Sequence, residues 1–198
     1  MWLLSLVLAG GLGTAPLPSP ERLLYPSNEE RLTHCLTPRA EPTDAQRRAL
    51  RERTGNRQVF FLPPAQSLRG ACTLTDPRYP LVAEAAREFE ERLRSGQAPP
   101  ALVAVTLMAP IRDFAEVGRW RAWLVLRDGF GQEVLRWPAR TGMTRQLVPG
   151  QGLSILIFDP PGQEQRPLVR RATSLWVEVD WSDGKGPRRY DARALPQM

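Results

Sequence analysis

The chain has 198 residues, a formal net charge of +6 and 42% hydrophobic side chains, enough to bury the core of one domain carrying an N-terminal extension. Lys185 is the single lysine among 27 basic residues, and the arginines are interleaved with acids, clustering only as the pairs Arg47-Arg48, Arg170-Arg171 and Arg188-Arg189. So dispersed a charge argues against nucleic-acid binding, which needs a concentrated stripe to displace counterions.

Residues 1–15, from Met1 to Ala15, are apolar or small without one charged side chain, and Pro16-Leu17-Pro18-Ser19-Pro20 breaks the run. The apolar core within this run has the length of an export signal's h-region and is about half of what a membrane-spanning helix needs. Small residues at Ala9/Gly11, Gly11/Gly13 or Gly13/Ala15 offer cleavage points, although only the amino terminus itself supplies positive charge. The expectation is an exported protein, periplasmic or extracellular. The leader acts as a signal peptide or, uncleaved, as an N-terminal membrane anchor. The alternative is a cytosolic chain whose N-terminus packs as a buried strand or helix.

Residues 16–42 are Pro-rich and weakly patterned. Ser27-Asn28-Glu29-Glu30 fits a capping box and predicts a short helix over 28–36 that carries Cys35. Thr43-Asp44-Ala45-Gln46 opens a second helix, closed by Gly55. Arg47, Arg48, Arg51 and Arg53 make it the one local basic face. Val59–Leu62 reads as a strand stopped by Pro63-Pro64. From Asp76-Pro77 to Gly96, Leu81, Val82, Ala85, Ala86, Phe89 and Leu93 recur at helical spacing, predicting one longer amphipathic helix that covers a sheet face or edge.

In an exported chain the two cysteines, Cys35 and Cys72, are expected to form a structural disulfide. His34 beside Cys35 suggests a thiol–base dyad, but such dyads are normally assembled from distant parts of the chain. Two Cys and one His fall short of a four-ligand set, so neither metal nor cofactor is expected.

Beyond Pro99-Pro100 the pattern is strand, turn, strand. Ala101–Met108 is β-rich. Trp120, Ala122, Leu124 and Leu126 alternate with Arg121, Trp123, Val125 and Arg127. Asp128-Gly129-Phe130-Gly131 turns the chain into a strand over 133–137. Leu153–Phe158 is a further apolar run. Leu175, Val177, Val179 and Trp181 alternate with Trp176, Glu178 and Asp180, and Asp183-Gly184-Lys185-Gly186 turns the chain into 188–192. These six or seven strands predict a mainly β (α+β) chain with a C-terminal antiparallel β-sandwich. Its architecture resembles the immunoglobulin and fibronectin type, without the inter-sheet cysteines of antibody domains, since both cysteines precede the strands. The expected organisation is a leader over 1–15, a Pro-rich linker with a short helix over 16–42, a helical segment over 43–98 tied by Cys35–Cys72, and the sandwich over 101–195.

No catalytic motif stands out. Asp180-Trp181-Ser182-Asp183-Gly184 lacks an oxygen ligand at its fifth position and reads as a turn rather than a calcium loop. The glycine pairs at 129/131 and 150/152 do not lie between a strand and a helix, as a phosphate loop requires. Asp113, Glu116, Asp128, Asp159 and Asp180 could converge for hydrolysis, though so even a spread suits a solvated surface. Trp123 and Trp176, with Arg121 and Arg127, share the non-aliphatic face of their strands. That face is either a candidate interaction surface or the face covered by the 76–96 helix, the reading preferred from sequence. The expected function is therefore a non-enzymatic structural or protein-interaction module of the bacterial cell envelope. Its partner would be an envelope protein, with a glycan as a second partner class and membrane contact only through the N-terminal segment. The alternative is an exported carboxylate-dependent hydrolase or carbohydrate-binding domain.

Overall fold

The computed structural model describes residues 18–38, 57–73, 80–98, 102–159 and 162–195. Helix α1 (Pro20–Leu24) begins where Ser19 Oγ accepts the Arg22 amide and Pro20 presets the backbone of the first turn. Five residues are too few to show a helical period, which hides α1 in the sequence. Helix α2 (Asn28–Leu36) has the expected capping box. Ser27 Oγ accepts the Glu30 amide at 3.1 Å, and the Glu30 carboxylate accepts the Ser27 amide at 3.0 Å.

Strand β1 (Gln58–Leu62) follows, then α3 (Pro64–Ser67), a 3-10 turn at Ala71–Thr73, and α4 (Pro80–Arg94). Helix α4 ends as expected at Gly96. Its φ of 72° is left-handed, and the Gln97 amide bonds back to the Arg92 carbonyl. The expected N-cap at Asp76, and the 43–55 helix with Arg47, Arg48, Arg51 and Arg53, lie outside the described residues.

Helix α4 packs within a helical cap, where the sequence predicted a sheet beneath it. Leu93 is buried against Cys35, Leu68 and Cys72, with Leu32, Ala71 and Phe89 around them. The Cys35–Cys72 disulfide, with Cα atoms 5.0 Å apart, joins α2 to the turn beside α4. The C-terminal part of the apolar stripe, Phe89 and Leu93, thus finds its partner within this cap. The start of the helix leaves Leu81 78% and Val82 44% exposed. No described helix is long and apolar enough to cross a membrane.

The remaining strands are β2 (Val103–Pro110), β3 (Arg121–Arg127), β4 (Glu133–Pro138), β5 (Arg140–Val148), β6 (Gln151–Phe158), β7 (Ser174–Asp180) and β8 (Arg188–Asp191). A 3-10 turn at Phe114–Arg119 links β2 to β3, and helix α5 (Arg166–Arg171) lies between β6 and β7. One four-stranded sheet runs β1-β2-β6-β5 and the other β4-β3-β7-β8, every neighbouring pair being antiparallel. Val103, Val105 and Leu107 of β2, with Leu156 and Phe158 of β6, share one core with Leu124 and Leu126 of β3 and Val177 and Val179 of β7. The chain is mainly β: a sandwich of two antiparallel sheets with a helical cap.

Two strands differ from expectation. β1 comes from the 43–98 segment yet pairs with β2 from Gln58↔Met108 to Leu62↔Ala104, so the sandwich begins before residue 101. β5 has no alternation for the sequence to reveal. It is an edge strand exposed along most of its length, with register shifts at Thr141/Met143 and Gln146/Val148. A strand with no buried face has no reason to alternate, and such bulges discourage edge-to-edge pairing.

Helix α1 is fastened to one end of the sandwich. Leu24 enters the sandwich core. The Tyr25 hydroxyl donates to the Gly162 carbonyl at 2.9 Å, and Glu21 accepts from Arg166 at 3.0 Å and Arg170 at 2.8 Å. At the opposite end the 3-10 turn sits on Gly152 of β6. A Cβ there would collide with the buried Val117 and press on Ile111. Gly152→Ala is accordingly expected to destabilise by about 1–3 kcal/mol through overpacking, read as a lower urea midpoint.

Candidate interaction surface

Trp123, Val125 and Arg127 alternate to the outer face of β3, and Trp176, Glu178 and Asp180 to the outer face of β7. The register sets Trp123 opposite Glu178 and Val125 opposite Trp176. Arg136 of β4 lies opposite Val125, and Arg189 of β8 opposite Glu178. Trp123, Trp176 and Arg127, three of the four residues singled out from sequence, therefore share one outward face. Arg121 lies at its margin, and its guanidinium turns back to the Gly118 and Trp120 carbonyls at 2.9 and 3.0 Å.

Glu178 is the hub of this face. Only 3% exposed, it accepts from Arg189 Nε at 2.7 Å and pairs with Arg136 at 2.8 Å. The Arg136 guanidinium also grips Glu133 with two bonds of 2.9 Å and lies 6.0 Å from the Trp123 ring centre. Glu133 first, and then Glu178, hold Arg136 above its ordinary pKa. Val125, on the same outward face, is fully buried. The arrangement is a plate of arginine stems and indoles with its charges largely neutralised internally. Helix α4 packs against α2 and the Ala71–Thr73 turn, so the preferred expectation that the long helix covers this face is corrected. Trp123 and Glu178 were legible from the two-residue period. Arg136 and Arg189 were missed, because cross-strand register is invisible in sequence.

A second concavity lies where β2 leaves and β3 enters the sandwich. This cleft of about 440 Å³ is lined by Arg57, Arg112, Glu116, Arg119, Ser182 and Asp183, with parts of Pro110 and the tryptophans. Beneath it, Trp120 and Trp181 meet edge to face at 5.2 Å, both almost fully buried. Arg57 lies 5.2 Å from the Trp181 ring centre and bonds Asp183 at 2.5 Å. Asp183 also pairs with Arg188 at 3.2 Å. Ser182 has a left-handed φ of 54°, held by its amide on Asp180 and its hydroxyl on the Arg119 carbonyl. A larger groove of about 660 Å³ runs beside α1 and α2 and includes His34. Within it Arg22 pairs with Glu30 and Glu21 with Arg166.

The five acids considered for hydrolysis divide between the two ends of the sandwich. Asp113 caps the Ala115 amide, Asp128 accepts the Phe130 and Gln132 amides, Asp180 accepts Ser182, and Asp159 pairs with Arg140. Glu116 alone of the five lines the cleft. Among the described residues no three metal-ligating side chains gather.

Several carboxyls are displaced downward by arginine: Glu21 by Arg170 and Arg166, Glu133 by Arg136, Asp183 by Arg57, and Asp191 by Arg193. That is the opposite of the displacement a general acid needs. Such groups stabilise the fold above their unfolded pKa near 4, and the contribution is lost as pH falls through their lower folded values. The melting temperature is therefore expected to hold from neutrality to about pH 5 and to decline below about pH 4. A flat profile down to about pH 2 would contradict these ion pairs.

Comparison with known proteins finds no matching family model, no matching curated protein and no matching solved structure.

Proposed function

We propose that this chain is an exported, non-catalytic interaction module of the bacterial cell envelope, and that it contacts a partner protein through the β4-β3-β7-β8 face. One observation carries the reading: Trp123, Trp176 and Arg127 share an outward face, and the long helix α4 packs in the Cys35–Cys72 cap. Trp and Arg on a rigid sheet are the side chains that dominate protein contacts, and internal neutralisation of the charges lowers the desolvation cost of covering them. The apolar leader and the Cys35–Cys72 bond support an oxidising, extracytoplasmic setting, periplasmic or extracellular.

The fold reading extends to an immunoglobulin type. With the strands lettered in chain order and β4 taken as C′, the sheets read A-B-E-D and C′-C-F-G, the order of that architecture. The departure is on strand C, where Trp123 faces outward and the buried inter-sheet disulfide of antibody domains has no counterpart.

A photo-crosslinking side chain at position 123 or 176, expressed in the native host, tests the contact. Adducts with one envelope protein from both positions, and none from the 92% exposed Phe130, are expected. Equal labelling from Phe130, or none from the face, would overturn the proposed surface. Intact mass with alkylation before and after reduction tests export: a shortened chain whose thiols react only after reduction is expected.

A further inference from the structure

The cleft between the β2–β3 and β7–β8 connections has a chemistry that the sheet face does not use. Arg112 and Arg119 project into it from an exposed turn. Among the described residues neither has an ion pair or side-chain hydrogen bond, whereas the guanidinium groups of the sheet face are bound to carboxylates or carbonyls. The acid on the opposite wall, Asp183, is already shared by Arg57 and Arg188. Glu116 is the one lining carboxylate without such a tie. The volume of about 440 Å³ lies within the range of small-ligand clefts.

The walls are also held in place. Ser182 occupies a backbone region that serine seldom adopts, and its hydroxyl fastens the Arg119 carbonyl at 2.9 Å. Strain of this kind persists only where surrounding structure over-determines it. The buried Trp120–Trp181 pair forms a firm floor, and the short 3-10 turn carrying Arg119 rests on Gly152 through Val117. Two free guanidinium forks on fixed backbone are suited to planar or tetrahedral oxyanions.

We propose that this cleft is a binding site for a small oxyanion-bearing ligand, a carboxylate or a phosphate, held by Arg112 and Arg119 against the Ser182 rim. The site lies at the strand ends, apart from the sheet face of the proposed partner contact, and stands or falls independently of it.

The test is a titration of the whole protein with citrate and, separately, with inorganic phosphate at about 150 mM NaCl, where weak surface attraction is screened. NMR resonances of Ser182, Arg119 and the Trp181 indole provide the readout. Saturable shifts confined to this end are expected with at least one anion. Citrate alone identifies a carboxylate, phosphate alone a phosphoryl group, and both the shared oxyanion chemistry. The double variant Arg112→Gln/Arg119→Gln is expected to weaken binding about tenfold or more, the scale of losing charge-assisted hydrogen bonds. Its melting temperature should be unchanged, since both side chains are exposed. Glu116→Gln removes the opposing charge and is expected to tighten binding. Arg171→Gln, an exposed arginine on α5, should change nothing. No shift with either anion, or an Arg171→Gln effect as large as that of the double variant, would overturn the site.

Discussion

Reducing the Cys35–Cys72 bond is expected to lower stability by about 4 kcal/mol, less any relief of native strain, from the chain entropy released by a loop of 37 residues. That is a large share of the 5–15 kcal/mol typical of a folded domain. The loss should not be spread evenly. Among the described residues the cap's core cluster is Cys35, Leu68, Cys72 and Leu93, separate from that of the sandwich, and so small a core holds together poorly by itself. With reductant, the helical far-UV signal should melt before tryptophan fluorescence changes. Five of the six tryptophans, Trp120, Trp123, Trp137, Trp176 and Trp181, belong to the sandwich region, so in a chain lacking the leader and its Trp2 the two signals report the two parts separately. A single unshifted transition under reducing conditions would mean that the bond does not hold the cap.

The second large effect is expected at Trp181. Trp181→Ala should cost about 3–5 kcal/mol, the range for truncating a large buried aromatic. The ring is 3% exposed and meets Trp120 edge to face. Its indole N–H donates to the Tyr190 hydroxyl at 3.3 Å, and Arg57 stacks above it. Removing it opens a cavity, strips Tyr190 of a donor and loosens the Arg57 wall of the cleft. Trp176→Ala, on the outer face of the same sheet, is expected to cost less than half as much, because its ring is half-exposed and its N–H reaches only Ser174. Urea midpoints of the two variants measure the difference. Equal losses would show that the inward and outward faces of β7 are not energetically distinct.

These two tryptophans show how far sequence reaches. The two-residue period over Leu175–Trp181 and Trp120–Arg127 separated inward from outward residues correctly, because a half-buried strand must alternate. The capping box at Ser27 and Glu30 was equally legible, since cap and first turn lie within four residues of one another. So was the Gly96 stop, where a left-handed backbone favours glycine. β5 and α5 went unread, one for lack of a buried face and the other for shortness.

By itself the sequence determined the alternating strands, the capped helix α2, the amphipathic α4 and a pair of cysteines free to join. All of these are local patterns, or follow from there being two thiols. Tertiary structure alone decided what each face meets. It gave Phe89 and Leu93 of α4 to the Cys35–Cys72 cap, paired β1 with β2, set Arg136 and Arg189 around Glu178, and brought Arg57, Arg112, Arg119 and Ser182 to one cleft. Those outcomes depend on register and on contacts between residues far apart in the chain, such as Arg57 and Asp183, which are 126 positions apart. No pattern of neighbouring residues encodes them.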